Sequence, residues 1–257
     1  MLERILEAKE SEIVELRRAV LPEPPASRPI ELGRPPGAAL HLLAEIKLRS
    51  PSAGALSRRL DVAERASAYE RAGARLVSVL CDAQFFDGAY AHLAQAKQAC
   101  GLPILCKDFV LDESQLDVAR AYGADAVLLI VRCLTAERVI ELVQAARARS
   151  LEPLVEVVTE TEARIAVDAG ARLVGVNARD LDTLAMDRER AQRVLDGLPS
   201  EVVAIHLSGL ATAADVARVA RSRASAALIG EALMRADDPE PLLRSLCAAA
   251  KSGAQTR

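Results

Sequence analysis

Hydrophobic positions in this chain come in two textures. Short continuous apolar runs, rich in Val, Ile and Leu, occur at about 40–47, 75–81, 103–107, 126–131, 153–158, 173–177, 202–207 and 226–229. Runs this short, with no polar alternation, predict parallel strands buried on both faces. Between them apolar residues recur at helical spacing, as in Val62–Ala72, Leu116–Tyr122, Ala136–Arg149, Thr161–Ala169 and Ala213–Arg221. The pairs Gly73-Ala74, Gly123-Ala124 and Gly170-Ala171 suit helix C-caps leading into the next strand. Eight strand–helix units of this length fit a closed barrel better than an open doubly wound sheet. The predicted fold class is therefore α/β, a single (β/α)8 TIM barrel.

The barrel pattern begins near residue 40. Ahead of it, residues 1–20 carry one more helix, with Leu2, Ile5, Leu6, Ile13 and Leu16 on its apolar side. Residues 21–37 are rich in Pro and Gly and form an irregular connector. The division is thus 1–39, a helix and connector packing on the barrel, and 40–257, the barrel itself. Pattern alone does not say which end of the barrel the first helix covers.

Composition narrows the partners. Among 257 residues, 36 acidic and 33 basic side chains are interspersed, leaving a formal net charge of −3. With aromatics at only 2% and no long basic run, a nucleic-acid surface is not expected. No apolar run approaches the ~18 residues of a membrane span, and the N-terminus opens an amphipathic helix rather than a signal region. The expected setting is cytoplasmic. The helices show no apolar stripe for association, so a monomer is expected. Cys81, Cys100, Cys106, Cys133 and Cys247 have no C-x-x-C pairing and read as small buried hydrophobes. His41, His92 and His206 lack ligand spacing, so no metal is expected.

Charge in the apolar runs carries the chemistry. Glu45 and Lys47 lie at the end of the first run, Lys107 closes the third, Glu156 lies in the fifth, and Asn177 and Arg179 follow the sixth. Burying an unpaired charge costs several kcal/mol, so such groups persist where they are paired or used on a substrate. Barrel active sites form at the C-terminal ends of the strands. Glu45 and Lys47 are two apart, so both point to one side of their strand. A phosphate site is expected beside them. Ser208-Gly209 follows the seventh run and Gly230-Glu231 the eighth, where backbone N–H groups and a short helix hold phosphate in many barrels. Ser50, Pro51 and Ser52 could add donors, with Arg49 as a cation.

Several motifs, in order, resemble the indole-3-glycerol phosphate synthase family. They are Ala44-Glu45-Ile46-Lys47 with Ser50-Pro51-Ser52, Phe85-Phe86-Asp87-Gly88, Lys107-Asp108-Phe109, Leu154-Val155-Glu156-Val157, Gly175-Val176-Asn177-Ala178-Arg179-Asp180-Leu181 and Gly230-Glu231-Ala232-Leu233-Met234. The likeness runs from about residue 44 to 240, and the first helix is similar to the family's extra helix. It implies closure of 1-(o-carboxyphenylamino)-1-deoxyribulose 5-phosphate to indole-3-glycerol phosphate, with loss of CO₂ and water, in tryptophan biosynthesis. The substrate is a small molecule, and no cofactor is implied. Lys107 resembles the acid, Lys47 the binder of the substrate carboxylate, and Glu156 the base of the dehydration. Glu45 would orient the lysines. Asn177, Arg179, Ser208 and Phe109 would bind substrate. Arg49, Ser50, Gly209, Gly230 and Glu231 would take the phosphate.

The chain also departs from that family, which usually reads Ser-Glu-Ser-Gly where this one reads His206-Leu207-Ser208-Gly209. An active-site carboxylate is thereby replaced by Leu207, which should alter the charge balance and orientation of Lys47. Ala178 replaces a second Asn. Two other functions fit the residues. One is another phosphate-binding barrel, such as a phosphoribosyl isomerase; the other is a homologue that binds a sugar phosphate with impaired turnover or none. Asp108 is expected to point away from the barrel interior, Glu231 to serve a helix N-terminus, and His206 to be core. Arg132 is either a rim charge or a partner of Glu156.

Overall fold

A computed structural model of the chain describes residues 2–50, 54–57, 59–180 and 185–254. Pro51, Ser52 and Leu181, named above, lie outside the described residues. Eight parallel strands close into a barrel: β1 (His41–Ile46), β2 (Leu76–Leu80), β3 (Ile104–Lys107), β4 (Ala126–Ile130), β5 (Glu152–Val157), β6 (Leu173–Asn177), β7 (Val203–Leu207) and β8 (Ala226–Ile229), with β8 pairing back onto β1. The continuous apolar runs are explained by burial on both sides. Leu43, Leu76, Leu105, Leu128, Leu154, Leu173, Ile205 and Leu228 fill the interior. Their neighbours Ala44, Val77, Ile104, Val127, Val155, Val174, Ala204 and Ala227 pack outward under the helices. Full burial of each such Leu or Val stabilises by about 1.5–3 kcal/mol.

The helices are α1 (Leu2–Leu16), α2 (Val62–Ala72), α3 (Ala83–Phe86), α4 (Tyr90–Ala99), α5 (Glu113–Ala121), α6 (Ala136–Ala148), α7 (Glu160–Asp168), α8 (Arg188–Gly197), α9 (Ala213–Ala220), α10 (Glu231–Arg235) and α11 (Pro239–Ala254). Most begin on a side-chain cap. Asp61, Asp112 and Thr212 form capping boxes with Glu64, Gln115 and Asp215. Each satisfies backbone N–H groups that a helix start leaves open. Gly73, with φ 98°, ends α2 in the left-handed conformation.

The N-terminal segment covers both ends of the barrel. Leu2 and Ile5 of α1 reach over the C-terminal mouth, where they line the same cavity as Lys107 and Glu156. The connector runs beneath the opposite end. Arg28 donates its backbone N–H to Asp125, just ahead of β4, and Arg34 reaches the carbonyls of Ala220 and Ala224, just ahead of β8. Leu32 joins the interior cluster.

One charged residue lies on the buried face of α1. Lys9 is 1% exposed and sits 2.7 Å from Asp108, 2.8 Å from Glu12 and 3.3 Å from Asp82. Burial works against its charge, but Asp108 and Glu12 outweigh that and raise its pKa. Asp82 follows β2 and Asp108 follows β3, so this cluster bolts α1 to two strand ends. No helix among the described residues is long and apolar enough to cross a membrane.

Candidate active site

Strand alternation delivers the predicted charges to one place. Glu45, Lys47, Lys107, Glu156, Asn177 and Arg179 all line a cavity of about 450 Å³ at the C-terminal end of the barrel. Lys47 Nζ lies 2.7 Å from Glu45 Oε1, and Lys107 Nζ lies 3.5 Å from Glu156 Oε2. The carboxylates are 2–3% exposed, whereas the two lysines keep 18% and 20% of their side-chain surface open. Burial raises the pKa of Glu45, but the Lys47 and Lys107 charges and the Lys47 hydrogen bond prevail and hold it below its ordinary value. Glu45 is therefore an anion beside two ammonium groups. Gly230 makes room for it, since any side chain there would collide with Glu45 Oε1.

Asn177 organises the other flank. Its Oδ1 accepts from Ser208 Oγ at 2.8 Å and from the Arg179 backbone N–H at 2.9 Å. Its Nδ2 is thereby turned toward Glu156 Oε1, to which it donates at 2.8 Å. No spacing in the sequence marks this chain of bonds, because its members come from β5, β6 and the turn after β7.

Apolar walls face the charges. Phe86 and Phe109 line the cavity with ring centroids 6.2 Å apart, and Leu2, Ile5, Leu128, Ile130, Leu207 and Leu228 extend that surface. Phe85 packs against the interior cluster instead. Leu207 sits over Gly175, where an added Cβ would lie 2.6 Å from its Cδ1. The phosphate-side candidates Ser50, Ser208, Gly209, Gly230 and Glu231 also line the cavity. Glu231 lies in the first turn of α10, as expected.

Arg49 goes elsewhere. It is absent from the lining, half-exposed, and 3.7 Å from Asp87. The chain has left β1 at Ile46, and Arg49 pairs with Ala55 in a short antiparallel ladder outside the barrel. Arg132 bonds Glu162 and Asp180 at 3.1 and 2.9 Å, as a charge tied into the barrel rim. Asp108 borders the cavity, but its carboxylate is taken up by its neighbour Phe109 N–H, Tyr90 and Lys9. Leu2, Ile5, Arg188, Asp215 and Arg235 also line the cavity, although no motif marks them. For Leu2 and Ile5 the helical periodicity was a visible signal of a buried face. It carried no indication of what that face meets.

The fold and site define a (β/α)8-barrel enzyme with paired lysines and glutamates at its mouth. Among solved structures, thiamine phosphate pyrophosphorylase from Pyrococcus furiosus superposes with a TM-score of 0.64 at 17% identity, covering 83% of this chain and 96% of that one. That likeness shows the barrel alone.

Sequence relatives specify more. The model of the indole-3-glycerol phosphate synthase family matches residues 2–246. An indole-3-glycerol phosphate synthase from Exiguobacterium is 43% identical over 222 residues, covering 86% of this chain and 87% of the relative. One from Mycobacteroides abscessus is 44% identical over 216 residues, covering 84% and 79%. The chain belongs to the indole-3-glycerol phosphate synthase family.

Proposed function

We propose that this protein is an indole-3-glycerol phosphate synthase, with Lys107, Lys47, Glu156 and Glu45 as its reacting and charge-balancing groups. One observation carries the proposal: two lysine–glutamate pairs from β1, β3 and β5 share one half-apolar cavity. The anthranilate ring lies against Phe86, Phe109, Leu2 and Ile5. The phosphate lies toward Ser50, Ser208-Gly209 and Gly230-Glu231, where backbone N–H groups can meet its oxygens. Lys47 takes the ring carboxylate, and Asn177 and Arg179 hold the ribulose hydroxyls.

Chemistry begins at the ketose carbonyl. The aromatic carbon bearing the carboxylate attacks it, a C–C bond forms, and the carbonyl oxygen takes a proton from Lys107. An ammonium here both donates and stabilises the developing alkoxide. The C–CO₂ bond then breaks, its electron pair restores the aromatic ring, and CO₂ leaves. In the last step the new hydroxyl takes a proton from Lys47 and departs as water. Glu156 accepts a proton from the carbon that was C1 of the ribulose, which leaves the indole double bond. The Lys107–Glu156 contact at 3.5 Å suits a pair that passes a proton between steps.

The test is direct: purified protein and synthetic substrate, read as growth of indole fluorescence. Product at a rate far above a Lys107→Ala control is expected, and product no faster than that control overturns the reading. We also infer a cytoplasmic monomer acting on small molecules rather than nucleic acid. Its large exposed hydrophobic residues among those described are Val14, Val20, Ile140 and Met186, dispersed along the chain. Light scattering at a mass near 27.4 kDa is the expected result.

A further inference from the structure

The buried face of α1 is Leu2, Ile5, Lys9 and Ile13, three apolar side chains and one ammonium. Helical spacing puts Lys9 one turn behind Ile5 and two behind Leu2, on the same stripe that roofs the cavity. An ammonium has three N–H donors, and three carboxylates stand around this one. Glu12 Oε2 lies at 2.8 Å on the same helix, Asp108 Oδ1 at 2.7 Å in the turn after β3, and Asp82 Oδ2 at 3.3 Å in the turn after β2.

Each of the two aspartates leads to a ring of the apolar wall. Asp82 caps α3 by accepting from the Phe85 N–H at 2.7 Å, and Phe86 is the next residue. Asp108 accepts from the Phe109 N–H at 2.8 Å, with Tyr90 donating to its other oxygen at 2.9 Å. Phe86 and Phe109 then meet with centroids 6.2 Å apart. The wall thus comes from three separate segments, and Lys9 is paired into all of them. Stability alone does not call for a charge here, because apolar replacements of buried ion pairs often hold a fold as well or better. What directed, charge-assisted bonds add is a fixed relative position.

We propose that Lys9 is a positioning residue for recognition of the substrate's aromatic ring. It holds Leu2, Ile5, Phe86 and Phe109 in one relative arrangement, and it touches neither substrate nor reacting atoms. The inference rests on the synthase reading, in which the anthranilate ring lies on this wall. The charged groups of β1 and β5 are anchored without Lys9, since Glu45 pairs with Lys47 and Asn177 bonds Glu156. Loss of Lys9 therefore appears as weaker ring binding, in KM more than in kcat.

The experiment compares two competitive inhibitors. One is the substrate with its carbonyl reduced to an alcohol, which keeps the ring and cannot cyclise; the other is ribitol 5-phosphate, which has no ring. Lys9→Met is expected to raise KM and the Ki of the ringed inhibitor about tenfold, with kcat and the Ki of ribitol 5-phosphate within about twofold of wild type. Lys97→Met breaks a second buried pair, with Asp125 at 2.7 Å at the opposite end of the barrel, and should lower stability without that selective change. Both inhibitors weakening alike, neither weakening, a loss confined to kcat, or Lys97→Met reproducing the pattern overturns the proposal. Should Lys9→Met fail to fold, Asp82→Asn decides. It keeps an acceptor for the Phe85 N–H but removes the charge that ties α3 to Lys9, and a ringed-inhibitor Ki raised about threefold is expected. An unchanged Ki there defeats the proposal. Wild-type turnover in the same assay separates the two readings. No wild-type product defeats the synthase reading and this inference with it, whereas wild-type turnover with unselective weakening overturns the positioning role alone.

Discussion

Lys9 and Lys107 stand on either side of one residue, Asp108, yet their settings are opposite. Lys9 is 1% exposed and surrounded by three carboxylates at 2.7–3.3 Å. Lys107 keeps 20% of its side-chain surface open and, among the described residues, has one carboxylate within ion-pair distance, at 3.5 Å. The first charge is fully compensated and sealed, which suits a bolt between α1 and the barrel. The second is held loosely beside an empty volume and can meet a ligand's oxygen. Partner count and access, not residue type or nearness to the mouth, separate the docking lysine from the one we propose to react.

The sharpest way to break that comparison is to remove each ammonium. Lys107→Met should lower kcat about 10³-fold, ~4 kcal/mol of barrier, the usual scale for a positioned acid. Its thermal midpoint should barely change, because Glu156 keeps its bond from Asn177 and Glu45 keeps Lys47. Lys9→Met should do the reverse. It strands Asp82 and Asp108, 2% exposed each, without their cation. Breaking a buried pair costs about 3–5 kcal/mol, so calorimetry should show the midpoint falling by roughly 6–12 °C or more. Its folded fraction should retain far more turnover than Lys107→Met. Equal kinetic damage from both substitutions would erase the distinction.

His206 extends the comparison to a buried group whose one nearby carboxylate, Asp215, is outweighed by burial and by the charges of Arg218 and Arg188. Its pKa is lowered from 6.5 to about 4, mainly by burial and next by Arg218. Below pH 6.5 the unfolded chain takes the proton before the folded one does. The stability tied to the neutral ring is therefore complete above 6.5 and is lost as pH falls toward 4. The whole effect is ~3 kcal/mol, about 1.4 kcal/mol for each pH unit crossed. Urea midpoints at pH 7 and pH 4.5 should fall more steeply for wild type than for His206→Gln. Identical slopes would mean that the ring protonates in place.

Much of this was legible in the sequence, for a physical reason. Barrel strands are buried on both faces, so they read as uninterrupted apolar runs, and a charge at the end of one is conspicuous. That placed Glu45, Lys47, Lys107 and Glu156 at one mouth before any coordinates. Arg49 is carried away from the mouth by the short ladder with Ala55 that follows β1, a turn that the apolar pattern does not show. The roof formed by Leu2 and Ile5 was invisible, since periodicity shows that a helix buries a face and not against what. Lys9 on that face, four residues after Ile5, was the overlooked clue: a buried lysine demands carboxylates. The Ser208–Asn177–Glu156 chain leaves no trace in spacing, because it joins residues 52 positions apart through β5, β6 and the turn after β7, from Glu156 to Ser208.

The smallest effect concerns Leu207, where the resemblance drawn from the sequence motifs leads one to expect a glutamate. Leu207 lines the cavity beside Asn177, its register partner on β6, and is 2% exposed over the open face of Gly175. A glutamate there would bring a third negative side chain to a floor that now holds Glu45 and Glu156 against Lys47 and Lys107. Its carboxylate would compete for the lysines and better orient Lys47 for departure of water. It would also exchange an apolar contact with Leu154 and Gly175 for a charge that must be solvated by those same lysines. The expected outcome for Leu207→Glu is a kcat raised about threefold, less than ~1 kcal/mol, with stability lowered by about 1–2 kcal/mol. Single-turnover rates with the synthetic substrate decide it, since they isolate chemistry from product release. An unchanged rate would show that the Lys47–Glu45 pair, at 2.7 Å, already supplies all the orientation the reaction uses.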